Sequence, residues 1–275
     1  MESEHRPVLP SYMTRLLSAG RVVFSREEAI QALHTSHDAL LDAAERQQHR
    51  RHLISPRRGF YVIVPPQYLA WGAPPPSWYI DDLMRHEGRP YYVGLLKAAE
   101  LHGATHQAVM EFQLVTDKRL PAIRAGRSVI AFYYRKDMAG VAQGIEEHKT
   151  DTGRMKVSSV ELTLLDLLRY PRAAGGLDNI ATIVSDLGDR ADPGKLAALS
   201  ASYERSVSQR LGYLLDRFGH RAPAEALHAA LPRASATAWV ELEPSQAADP
   251  LLSPAPTEKN ARWHVIVRRP PERDE

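Results

Sequence analysis

Five arginines lie between positions 46 and 58, in a stretch that contains no acidic residue. The planar guanidinium of arginine can donate two hydrogen bonds to a phosphate, or to the O6 and N7 atoms of guanine, and it stays charged at neutral pH. Because the formal net charge of the whole chain is only +2, a nucleic-acid surface has to come from such local clustering. The cluster therefore predicts contact with double-stranded DNA. Its members are Arg46, Arg50, Arg51, Arg57 and Arg58.

Four polar residues nearby are expected to add DNA contacts from the start and outer face of a helix. They are Thr35, Ser36, His37 and Gln47. Within the whole set, Arg57 and Arg58 are expected at phosphates or in the minor groove, and Arg46 and Gln47 nearer to base edges. A charged run of this kind is also compatible with a solvated face, or with a degenerate module that contacts protein.

A second group of residues resembles the acid, acid-x-lysine pattern of magnesium-dependent nucleases. It consists of Asp137 and the run Glu147-His148-Lys149. In that chemistry carboxylates hold the metal and the lysine stabilises charge on the phosphate. Such triplets also arise by chance in charged loops, so nuclease activity stays a minor alternative.

Other enzyme chemistry has little support in the sequence. The chain has no cysteine, which excludes disulfides, thiolate nucleophiles and cysteine-based metal sites. His102 and His106 are four residues apart, but Gly103 lies between them and no HExxH motif is present. Phosphate-binding glycine motifs and a GxSxG elbow are also missing. We therefore expect no enzyme activity, no cofactor and no metal.

The arginine cluster falls within a regular series of predicted elements. Ser25 and Glu28 have the spacing of a capping box at the start of a second helix, and Ser36 can cap a third. A winged helix-turn-helix domain has the order helix, turn, helix, hairpin. In such a domain the second helix of the pair and the tip of the hairpin contact the DNA. The first predicted helix spans 11–18, the second follows Ser25 and runs to about Leu33, and the third begins at Ser36. The predicted strands span 22–24, 52–54 and 60–64.

With 275 residues, the chain is expected to form two domains in an α+β fold. Residues 1–66 are predicted as the winged helix-turn-helix domain and residues 67–77 as a proline-rich linker. Residues 78–275 are predicted as a mixed α/β domain with a flexible proline-rich stretch near 244–258. Because no apolar run approaches the roughly 20 residues of a membrane span, we expect a cytoplasmic protein.

Five segments resemble the AbiEi family, antitoxins of the abortive-infection E (type IV) toxin–antitoxin systems. The longest, residues 90–103, reads PYYVGLLKAAELHG. Lys97 and Ala98 replace the small polar pair usual in the family, and Leu162 stands where the family often has arginine. The other segments are RRGFY at 57–61, SVELTLLDLL at 159–168, GG at 175–176 and RLGYLL at 210–215.

The resemblance implies an N-terminal domain that represses its own operon and a C-terminal domain, here residues 78–275, that counters a nucleotidyltransferase-like toxin. The toxin is countered by direct binding or indirectly, and two copies on an inverted repeat would follow the usual symmetry of DNA-binding proteins. The alternative is a stand-alone winged-helix regulator whose second domain senses a ligand. Within the motifs, His102 is expected to be a satisfied core or helix-end residue, and Glu161 to stabilise the start of its helix.

Overall fold

A computed structural model describes residues 8–104, 109–231, 238–244 and 255–272. His106 and most of the 244–258 stretch lie outside these residues. Within them the fold mixes helices and strands, as predicted. The helices are α1 Leu9–Ser18, α2 Arg26–Leu33, α3 His37–His49, α4 Ile80–His86, α5 Leu95–Leu101, α6 Val160–Arg169, α7 Leu177–Leu187, α8 Pro193–Ser200, α9 Arg205–Arg217 and α10 Arg221–Ala230. The strands are β1 Val23–Ser25, β2 Leu53–Arg57, β3 Phe60–Ile63, β4 Tyr91–Val93, β5 Glu111–Thr116, β6 Ile123–Ala125, β7 Ser128–Tyr134, β8 Ile145–Thr150, β9 Gly153–Ser158, β10 Val240–Glu241, β11 Glu258–Asn260 and β12 Val265–Val267.

The chain divides into two compact units that differ from the predicted domains. Unit 1 combines Met1–Tyr91 with Met110–Lys136 and Glu147–Lys156, and unit 2 takes the rest. The proline-rich segment 67–77 lies inside unit 1, where it forms short 3-10 turns at Pro66–Tyr68 and Pro76–Trp78. Pairings between segments distant in the sequence, such as Arg57 with Glu87, hold unit 1 together beyond residue 66.

The first part of unit 1 has the elements expected from the sequence. Gly20 follows α1 with a φ of +74°, the left-handed conformation favoured after a helix. The hydroxyl of Ser25 accepts a hydrogen bond from the Glu28 amide, and that of Ser36 accepts one from the Ala39 amide. Strands β1, β3 and β2 form an antiparallel sheet in that order. The shared core is apolar and includes Tyr12, Leu16, Phe24, Leu33, Leu40, Ala44, Leu53 and Tyr61.

The remainder of unit 1 adds α4 and a group of strands. Strands β6, β7 and β5 are neighbours in that order, with β5 parallel to β7 and β6 antiparallel to β7. The Thr116 hydroxyl at the end of β5 donates a hydrogen bond to the carbonyl of Pro90. These strands belong to segments that return to unit 1 later in the chain, which is why the unit is discontinuous.

Unit 2 is mainly helical. Helix α6 is buried along most of its length, and α9 packs its apolar face inward. Strands β10, β12 and β11 form a small sheet in that order. The indole of Trp263 fills the space beside Gly212, where an added Cβ atom would lie 2.1 Å from the ring. Gly212 is therefore required by close packing inside α9.

Candidate nucleic-acid interface

The candidate interface is built around the end of α3. Ser36 caps the start of this helix, and Leu40 and Ala44 bury one face of it in the core. Arg46 and Arg50 consequently project from the exposed side near its end. Arg51 follows in a left-handed conformation with a φ of +61°, which turns the chain into β2.

Four of the five clustered arginines are exposed, and no carboxylate in the described part of the chain pairs with them. A cation without an internal partner is available to an anionic ligand. We call these four residues the arginine surface: Arg46, Arg50, Arg51 and Arg58.

Gln47 does not occupy the outer face on which it was expected. Its side chain turns into the molecule, and only 6 % of the residue is exposed. Gln47 lies one helical turn after Ala44 and shares its buried stripe, so it is poorly placed to contact base edges. Together with Thr35, Arg46 and Arg50 it lines a groove of about 370 Å³ in unit 1.

Arg57 also departs from its expected position at a phosphate. Its Nε donates to Glu87 Oε1 at 2.9 Å and its Nη2 donates to the Pro121 carbonyl at 2.9 Å. The guanidinium also lies over the Phe132 ring. Both partners of the ion pair are only 19 % exposed. Arg57 therefore holds unit 1 together, while Arg58, the next residue, stays in solvent.

Arg26 contacts the hairpin turn, and the sequence analysis did not include it among the site residues. Gly59 adopts a φ of +79°, and an added Cβ atom would lie 3.1 Å from the guanidinium of Arg26. The same guanidinium donates a hydrogen bond to His37 Nε2, whose other ring nitrogen donates to Asp38. Arg26 thus connects the turn to the start of α3. Its position directly after the Ser25 cap was the available signal, interpreted above only as a helix start.

The exposed side of α3 also carries acidic residues. Asp38, Asp42 and Glu45 are all exposed, and Glu45 pairs with His49. Asp38 and Asp42 lie in the first two turns of α3, where they repel phosphate. Positive charge without a counter-ion is concentrated instead at the end of α3 and at the hairpin turn.

A second basic region of unit 1 has most of its charge neutralised. It is a cavity of about 700 Å³ whose lining includes Arg85, Arg154 and Lys156. Arg85 pairs with Asp81 and Asp82, and Arg154 pairs with Glu147 at 2.7 Å. This region is less suited to phosphate than the arginine surface is.

The nuclease pattern gains no support from its side chains. Asp137 accepts a hydrogen bond from the Gly140 amide, and Glu147 is engaged by Arg154. Among the described residues, no group of three or more histidine and acidic side chains could hold a metal ion. Within the same residues, no helix is long and apolar enough to cross a membrane.

In unit 2 the family-like motifs meet at a buried carboxylate. Asp166 in α6 is fully buried and accepts hydrogen bonds from the hydroxyls of Tyr92 at 2.7 Å and Tyr203 at 2.6 Å. We call these three residues the Asp166 network. It joins the start of the 90–103 segment to the 159–168 segment, so these motif residues maintain the fold.

Two further motif residues behave as expected from the sequence. His102 caps the end of α5 and donates from Nε2 to the Ser158 carbonyl at 2.8 Å. Glu161 in the first turn of α6 accepts hydrogen bonds from the Ser159 hydroxyl and the Asp192 amide. Both side chains are satisfied within unit 2 and have structural roles.

Comparison with known proteins agrees with the motif content of this chain. The family model of the AbiEi antitoxin C-terminal domain matches residues 92–217, which include the Asp166 network. This match confirms the predicted resemblance to the AbiEi family over residues 92–217, and it supports an antitoxin role in a toxin–antitoxin system.

One solved structure and the curated proteins complete the comparison. The RV2827C protein from Mycobacterium tuberculosis has a similar fold, with a TM-score of 0.67 over 95 % of this chain and 92 % of that chain. The sequences are 18 % identical, so this likeness concerns the fold alone. No curated protein matches the chain.

Proposed function

We propose that this chain is an antitoxin that counters a nucleotidyltransferase-like toxin and binds operator DNA to repress its own operon. The antitoxin half of the proposal is supported by the match to the AbiEi domain at residues 92–217. The DNA-binding half is supported by the arginine surface. The two halves can be tested separately.

The DNA-binding module proposed is a winged helix-turn-helix formed by α1 to α3 and the β2–β3 hairpin. Its support is the order of elements, with a short turn between α2 and α3 and a hairpin directly after α3. In such modules the second helix of the pair enters the major groove and the hairpin approaches the backbone. In this proposal α3 is the recognition helix, and Arg58 lies at the tip of the wing.

The observation that carries this half is the lack of internal partners for the arginine surface. Since Asp38 and Asp42 occupy the exposed side of α3 near its start, we assign phosphate contacts to Arg50, Arg51 and Arg58. Arg46, together with Thr35, Ser36 and His37, is assigned to the groove side. Arg57 and Gln47 are not assigned to DNA, because Arg57 pairs with Glu87 and the side chain of Gln47 is buried.

The DNA-binding test is a fluorescence-anisotropy titration of the full chain with two duplexes, one from upstream of its own gene and one unrelated. Arg50→Ala/Arg51→Ala is expected to weaken binding to both by tenfold or more, since phosphate contacts carry little sequence information. The slope of log K against log salt should become shallower by about 0.9 for each phosphate that the variant no longer neutralises.

A matched control is Arg217→Ala/Arg221→Ala, which removes two exposed arginines from unit 2. It has the same change in net charge and should bind DNA like the parent chain. Equal weakening in both variants would indicate a general charge effect. No binding by the parent chain at low salt would contradict the DNA-binding half.

A further inference from the structure

A small cavity in unit 2 has an apolar wall and lies apart from the Asp166 network. Its volume is about 310 Å³. Leu168 from α6, Leu177 and Ile180 from α7, and Leu242 after β10 line it, and each of these residues is less than 9 % exposed. An apolar cavity of this size is at the lower end of the range for small-molecule sites.

Three charged side chains also line this cavity, the exposed Arg172, the partly buried Arg210 and Glu243. Arg210 of α9 donates from Nε to the Glu241 carbonyl at 2.8 Å. Among the described residues, no carboxylate forms an ion pair with it. Burial alone lowers the pKa of the guanidinium below its usual value, with no opposing effect from a nearby acid. The group remains protonated, so a cation is held in a partly dry site.

Two acidic residues adjoin the site, Glu241 through its carbonyl and Glu243 in the cavity lining, and both carboxylates face other arginines. The Glu241 carboxylate is bound by Arg268 at 2.7 Å, and Glu243 faces Arg269 at 3.9 Å. A buried charge without a partner is costly, because water is removed and no ion replaces it. The terminal nitrogens of Arg210 therefore have the chemistry for an external anion.

We infer that this cavity binds a small organic monocarboxylate, with the carboxylate on Arg210 and the apolar body against Leu177, Ile180 and Leu242. A guanidinium and a carboxylate match in charge and planar geometry, and they form two parallel hydrogen bonds. Arg172, the other arginine of the lining, is exposed to solvent, and the leucine and isoleucine side chains favour a ligand with an apolar body over inorganic phosphate. This inference is independent of DNA binding and of the toxin.

The test is isothermal titration of the full chain with octanoate, octanol, octylamine and inorganic phosphate. Octanoate should bind at one site per chain and at least tenfold more tightly than octanol, because only octanoate pairs with the guanidinium. Octylamine and phosphate should show no binding at the same site. Equal binding of octanoate and octanol, or no octanoate binding at millimolar concentrations, would overturn the inference. Neither result requires a variant, because both are measured on the parent chain.

The site is then assigned with Arg210→Gln, which should lose at least tenfold in octanoate affinity and keep its octanol affinity. Arg217→Gln, on the same helix and exposed, should bind octanoate like the parent chain. Arg210→Lys keeps the charge and is used if the glutamine variant fails to fold by circular dichroism; it should retain part of the preference for octanoate. Unchanged octanoate binding in Arg210→Gln would overturn the assignment to this cavity. Competition between phosphate and octanoate for the site would contradict the ligand class.

Discussion

In unit 1, Arg46, Arg50, Arg51 and Arg58 keep their charged ends in solvent with no acidic partner in the described part of the chain. In unit 2, by contrast, Asp166 is enclosed and bound by two tyrosine hydroxyls. Both groups were prominent in the sequence, the arginines as a cluster of charge and Asp166 as part of a family-like motif. The difference shows that a prominent motif can maintain the fold, while function is better indicated by charge that the fold leaves unused.

The largest effect is expected inside unit 2, where packing leaves least room. Gly212→Ala would place a Cβ atom 2.1 Å from the Trp263 ring, so the indole or the helix must move. We expect a loss of about 4 kcal/mol in the free energy of unfolding. Chemical denaturation measures it. Gly153→Ala, where no heavy atom lies within 4 Å, should be nearly neutral, and similar losses in both would contradict the packing argument.

Removing the carboxylate of the Asp166 network should have the next largest effect. Asp166→Ala leaves the hydroxyls of Tyr92 and Tyr203 without this acceptor, at a cost of about 3 kcal/mol in the free energy of unfolding. Asp166→Asn keeps one acceptor oxygen and should cost less. If the alanine variant were as stable as the parent chain but failed as an antitoxin, Asp166 would have a functional role that the structure does not indicate.

The neighbours Arg57 and Arg58 give the sharpest form of the comparison. Arg57→Ala breaks the pair with Glu87 and should lower the free energy of unfolding by about 2 kcal/mol, with the salt slope of DNA binding unchanged. Arg58→Ala should change stability by less than about 0.5 kcal/mol and reduce that slope by about 0.9. Thermal unfolding and anisotropy titrations measure both. The reverse assignment of the two effects would contradict the proposed interface.

The smallest effect is expected at the start of α3. Ser36→Ala removes the hydroxyl that accepts the Ala39 amide and should cost about 1 kcal/mol. Ser36→Asp restores a capping acceptor and should recover most of the stability. Because the aspartate adds negative charge near DNA, it should also weaken DNA binding, which the alanine variant should affect less. Equal DNA affinity in all three chains would remove Ser36 from the proposed interface.

The local features of the fold could be predicted from the sequence because they depend on nearby residues. The caps at Ser25 and Ser36 follow from short-range patterns. Arg57 could not be assigned correctly, since Glu87 and Pro121 are far away in the sequence. The division into units was missed for the same reason, because Met110–Lys136 returns to unit 1.

For the candidate site, the sequence indicated where positive charge clusters, and DNA binding there stays a prediction. The run of arginines in the sequence indicated the arginine surface. Gln47 was predicted on the outer face of α3, but its side chain lies on the buried face. Arg210 was noted only as part of a motif, because its lack of an acidic partner is a property of the folded chain. Patterns of residue type identify charge, and only the structure shows which charges are already paired.

The central claim is that this chain is an antitoxin, and growth of cells carrying the adjacent gene tests it most directly. The neighbour is expressed alone, with the full parent chain, and with Arg50→Ala/Arg51→Ala under an unrelated promoter, so that loss of repression cannot alter expression. We predict that the neighbour alone arrests growth and that both chains restore it. A harmless neighbour, or a toxic one that the full chain does not counter, would contradict the claim.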